Sequence, residues 1–153
     1  MLGNGADIHA DDDYALRWAS RNGHCKIVKL LFKNEVNVHA DNDYALRWAS
    51  ENGNYETVKL LLDNGADIHA INDSPFRWSS ENGHYEIVKL LLDNGADIHA
   101  NDDYALRRAS YHSYYRLRRT SYCSYYRLRR TYYYGYYETV KLLIENGANY
   151  KIL

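Results

Sequence analysis

Residues 41–70 read DNDYALRWASENGNYETVKLLLDNGADIHA. Two short helices are written in this stretch. In the first, Leu46, Trp48 and Ala49 fall at helical spacing on a face turned inward, and Asn52-Gly53 turns the chain. In the second, Val58, Leu61 and Leu62 point inward and Lys59 outward. Asn64-Gly65 ends it, because glycine adopts the left-handed C-terminal conformation without steric cost. Ala66-Asp67-Ile68-His69-Ala70 then reads as an extended return.

The same thirty residues recur in phase. DDDYALRWASRNGHCKIVKLLFKNEVNVHA begins at 11 and INDSPFRWSSENGHYEIVKLLLDNGADIHA at 71. A further copy opens at 101 with NDDYALRRAS and closes from 135 with GYYETVKLLIENGANYKIL, and residues 1–10 match only the tail of a unit. The division is therefore 1–10, 11–40, 41–70, 71–100 and 101–153. Self-similarity at this period marks a solenoid, in which each unit buries its apolar face against its neighbours. In the third unit Pro75 suits a first helical position and Ser74 before it an N-cap. Elsewhere Asp13, Asp43 and Asp103 are the expected caps.

These phrases resemble the ankyrin repeat. Its helix-opening Thr-Pro-Leu-His is approached by Ser74-Pro75-Phe76-Arg77 and more loosely by Tyr44-Ala45-Leu46-Arg47, and its glycine turn, Val-Lys-Leu-Leu helix and Gly-Ala-Asp ending by NGNYETVKLLLDNGADIHA. The resemblance implies an all-α solenoid of stacked helix-turn-helix units. Units of thirty rather than 33 residues imply shortened hairpin loops. The thirty-residue wording is similar to the expanded ankyrin families of giant viruses of amoebae, implying a viral protein in the host cytoplasm. Glu35-Val36 replaces Gly65-Ala66, placing a non-glycine residue in a left-handed position at a cost of about 1 kcal/mol, so the first unit is expected to be the looser one.

The chain has 153 residues, 46% of them apolar and 25% charged, as in soluble folded proteins. No apolar run approaches a membrane span, and MLGNGADIHADDD lacks a signal pattern. Cys25 and Cys123 lie in unrelated contexts, which suggests free thiols. The net charge of -1 hides a division: residues 104–137 carry eight arginines and no acid, and the remainder holds 20 acids against 11 bases.

That basic run is YALRRASYHSY, YRLRRTSYCSY and YRLRRTYYYGY, three versions of a first helix plus its turn. It amounts to an insertion of 22 residues, about 111–132, within the fourth unit. A spacing of eleven is near three helical turns, so one helix is expected, aligning Tyr104, Tyr115 and Tyr126 with Tyr111, Tyr122 and Tyr133. Gly135 then matches Gly53 and Gly83 as the next turn. Arg108 replaces Trp18, Trp48 and Trp78, which predicts weaker docking of the last unit.

His9, His39, His69 and His99 recur every thirty residues. Stacked helices are about 8 to 10 Å apart, too far for neighbouring rings to share a metal, so a structural ladder is expected and no metal or cofactor. No nucleophile–base pair or phosphate loop is present, and no enzyme is expected. The resemblance implies a monomeric scaffold that binds a protein partner through hairpin tips and the ends of the first helices: Arg21, Asn22, Asn42, Glu51, Asn52, Asn72, Glu81 and Asn82. A second reading gives nucleic acid or an acidic surface to Arg107, Arg108, Arg116, Arg118, Arg119, Arg127, Arg129 and Arg130, with tyrosines for base stacking. A third makes Ser110 and Ser121, each after paired arginines, phosphorylation sites. A fragmentary product of a repeat gene, without independent function, is the remaining reading.

Overall fold

The computed structural model describes residues 7–119 and 126–152. Helices α1 (Ala10–Arg21), α3 (Ala40–Glu51), α5 (Ala70–Glu81) and α7 (Ala100–Arg119) form one layer. Helices α2 (Cys25–Phe32), α4 (Tyr55–Asp63), α6 (Tyr85–Asp93) and α8 (Tyr126–Glu145) form the other, and a 3-10 turn, Tyr150–Ile152, follows. Each helix packs on the corresponding helix of the next unit and on its partner within the unit, and the described residues include no strand. The fold is an all-α solenoid.

The core repeats with the sequence. Leu16, Leu46, Phe76 and Leu106 stack as one fully buried column, and Leu31, Leu61, Leu91 and Leu143 as a second. Burying each such side chain is worth about 1.5–3 kcal/mol relative to exposure. The tryptophans are not in this core: Trp18 is 47% exposed and Trp48 and Trp78 are half-buried. Arginine at position 108 therefore leaves no hole, and α7 seats Ala105, Leu106 and Ala109 against α5 without exposure.

Helix entry differs from the caps expected. Three consecutive residues at the start of each first helix, 11–13, 41–43, 71–73 and 101–103, have φ between 49° and 56°. They form a left-handed turn that stands in place of the shortened hairpin, and the right-handed helix follows it. Asp and Asn tolerate this conformation better than other non-glycine residues, which accounts for eight of the eleven residues other than Ile71 here being Asp and the other three Asn. Ser74 does not cap. Its hydroxyl donates to the Ala70 carbonyl at 3.1 Å, and Pro75 lies in the first right-handed turn, where its missing N–H costs nothing. The return before it is also a turn, not extended, closed by Ala70 N–H on the Asp67 carbonyl at 3.2 Å.

The fourth unit departs most from expectation. Asn52-Gly53, which ends α3, is replaced by His112-Ser113, and nothing stops α7 there; it runs for 20 residues. Helix α8 is another 20-residue helix, so the insertion lengthens a pair of helices and does not make one. Tyr104, Tyr111 and Tyr115 lie on α7, Tyr126 and Tyr133 on α8, and Tyr122 outside the described residues. Gly135 is inside α8, not at a turn, because the helix crosses the Gly83 turn so closely that a Cβ at 135 would sit 2.4 Å from the Gly83 carbonyl oxygen.

Candidate functional site

The tips and first-helix ends are built by one set of bonds repeated along the stack. Arg47 Nε donates to the Asn42 carbonyl and a second nitrogen of the same guanidinium to the Asp41 carbonyl, both at 2.8 Å. Arg77 does the same to Asn72 and Ile71, at 2.7 and 3.0 Å. A rigid fork thus grips the carbonyls of the left-handed turn five and six residues back. The last residue of that turn is buried and ties the start of its unit to the return at its end. Asp43 accepts from Asp67 N–H at 2.8 Å, Asp73 from Asp97 N–H at 2.9 Å, and Asp13 from Asn37 N–H at 3.2 Å. The histidine ring four residues earlier reaches the same carboxylate: His9, His39, His69 and His99 lie 2.9, 3.1, 3.1 and 2.9 Å from Asp13, Asp43, Asp73 and Asp103.

A ladder of arginine and aromatic rings covers the solvent side of the first helices. Arg17 lies over Tyr44 at 5.3 Å, Arg21 over Trp48 at 4.4 Å, Arg47 over Trp78 at 5.9 Å and Arg77 over Tyr104 at 5.1 Å. Trp48 and Trp78 meet edge to face at 6.1 Å. Arg17 also pairs with Asp41 at 3.2 Å. Placing the tryptophans inward in the sequence overlooked this surface. Its signal was the four-residue spacing of Tyr14 and Trp18, and of Tyr44 and Trp48, with an arginine before each tryptophan.

The residues picked from sequence fall on this edge with unequal freedom. Asn22, Asn52 and Asn82 close the first helices, each side-chain amide donating to the carbonyl of the tryptophan four residues back at 2.8 to 2.9 Å. Asn42 and Asn72 lie in the left-handed turns with exposed side chains. Arg21 is exposed, and Glu51 is half-buried. Burial raises the pKa of Glu51, Arg21 opposes that, and Glu81 adds to it. Glu81 is half-buried too, and burial acts to raise its pKa, but the bonds from Arg108 and Tyr104 outweigh it and hold it below the usual carboxylate value.

Of the basic run, Arg107 and Arg108 belong to the stack. Arg107 donates to the Asn101 carbonyl at 3.0 Å, repeating the grip of Arg47, and Arg108 Nε donates to Glu81 at 2.9 Å. The Ser110 hydroxyl is buried without a hydrogen-bond partner. Arg116, Arg118 and Arg119 lie on α7 and Arg127, Arg129 and Arg130 on α8 by their backbone; their side chains, and Ser121 and Cys123 altogether, lie outside the described residues. Cys25 is a free, half-buried thiol. No helix among the described residues is long and apolar enough to cross a membrane.

The turns form the second repeated contact. Asn54 donates to the Ser20 and Arg21 carbonyls at 3.1 and 2.9 Å, and His84 Nε2 is 2.9 Å from the Glu51 carbonyl. A side chain of one unit thus closes the turn of the unit before. Against this geometry, a protein-family model described as ankyrin repeats, three copies, matches residues 1–72 and 16–102.

Proposed function

Because the chain belongs to the ankyrin-repeat family, we propose that it is a non-catalytic scaffold that binds a protein partner through its turn tips and the face of its first helices. Ankyrin repeats are in general protein–protein interaction modules. The observation that carries the reading here is the arginine–aromatic ladder running unbroken from Arg17 to Tyr104 on one side of the stack. Large amphipathic rings held in place by guanidiniums offer contact area at little entropic cost, the composition enriched at protein interfaces. The tips add Asn42 and Asn72 on backbone fixed by arginine bonds. The thirty-residue wording supports, as part of this proposal, a giant-virus origin and work in the host cytoplasm.

The test uses proteins captured by the immobilised full chain and then purified. Binding is expected to fall at least tenfold with Trp18→Ser or Arg21→Glu, and to persist with Lys29→Glu or Lys59→Glu on the outer helices. Loss with the outer-helix variants alone retires the reading.

A further inference from the structure

Glu51 and Glu81 end the first helices of successive units, yet their carboxylates are treated differently. Glu81 is fully engaged by the next unit. Arg108 Nε donates to Oε1 at 2.9 Å, a second nitrogen of the same guanidinium contacts that oxygen, and the Tyr104 hydroxyl donates to Oε2 at 2.6 Å. His112 Nε2 lies 3.6 Å away. Thirty residues earlier, positions 104 and 108 are Ser74 and Trp78. Ser74 gives its hydroxyl to the Ala70 carbonyl, and Trp78 makes no bond to Glu51. Glu51 is half-buried and its carboxylate makes no hydrogen bond or ion pair, although it lies near Arg21, which is over Trp48.

We propose that Glu51, one helical turn after Trp48 and placed in the repeat relative to Trp78 as Glu81 is to Arg108, anchors an arginine side chain of the protein partner, as Glu81 anchors Arg108 within the chain. Burial disfavours the carboxylate at 51, the Arg21 charge offsets this only in part and the Glu81 charge adds to it, so an incoming cation is welcomed. A guanidinium satisfies the carboxylate with a planar fork and stacks on indole, and an ammonium does only the first as well. Outside 104–137 the chain carries 20 acids against 11 bases, which draws a cationic partner toward this surface. The inference rests on the first-helix face being the partner-binding surface.

The full chain is titrated with a hexa-arginine peptide while the indole N–H signals of Trp18, Trp48 and Trp78 are followed by NMR. Saturable shifts at Trp48 and Trp78 are expected, weakened at least tenfold in Glu51→Gln, unchanged in Asp63→Asn on α4, and weaker with hexa-lysine. Equal losses in the two variants would reveal diffuse attraction and overturn the proposal, as would silent Trp48 and Trp78 signals. A protein partner that needs Trp18 and Arg21 but binds Glu51→Gln normally would sink the arginine anchor alone and leave the scaffold reading intact.

Discussion

At position 71 an isoleucine holds φ of 49°, a conformation that a β-branched side chain resists, and its side chain is half exposed. Asp11, Asp41 and Asn101 occupy the same place in the other units. Ile71→Asn is therefore expected to stabilise the chain by about 1 kcal/mol, and Glu35→Gly, at φ 59°, by a similar amount, read from urea midpoints at constant slope. His84 carries a different strain. Burial holds its pKa below the ordinary value, with the Glu51 carbonyl and the Glu86 charge pulling the other way. A lowered pKa means that the unfolded chain binds the proton better, so stability is full above the ordinary histidine range and declines as pH falls through it toward the folded value. Asn54 fills the same turn-closing role without titrating, so His84→Asn is expected to flatten the stability–pH profile between about 7 and 5. An unchanged slope would remove His84 as its source.

The left-handed turn depends on its arginine clamp. Arg47, 8% exposed, donates two bonds to carbonyls of that turn. Arg47→Lys keeps the charge but cannot span both acceptors, and a loss of about 1.5–3 kcal/mol is expected in thermal unfolding. Gly135 gives the opposite of the usual helix rule. Replacing an interior helical glycine by alanine normally gains about 1 kcal/mol, but here the new Cβ meets the Gly83 carbonyl and α8 has to move off the turn. Gly135→Ala is expected to destabilise the chain by about 1–3 kcal/mol, and a gain in stability would mean that α8 does not press on that turn. The sequence marked Gly135 as special but for the wrong reason, since its neighbours match the turns at 53 and 83 and only the missing stop at His112-Ser113 showed that the helices would lengthen.

Across the whole molecule the insertion is absorbed without breaking the stack. Asp13, Asp43 and Asp73 each bond an amide 24 residues on, and Asp103 bonds Asn149 N–H at 3.3 Å, 46 residues on, a difference equal to the insertion. Deleting residues 112–133 is therefore expected to leave the Asn149 amide protected in hydrogen exchange and unfolding cooperative. Loss of that protection would make the long helical pair essential to closing the last unit. Period, helix identity and core columns were determined by the sequence alone, because apolar spacing and Asn-Gly stops act locally and repeat. The left-handed turns, the arginine grip on them, the outward tryptophans and the engagement of Glu81 but not Glu51 were decided only by tertiary structure. The first two depend on backbone carbonyls turned toward an arginine five and six residues on, which side-chain spacing does not reveal, and the last two on which atoms meet across units, of which residues thirty apart carry no local signal.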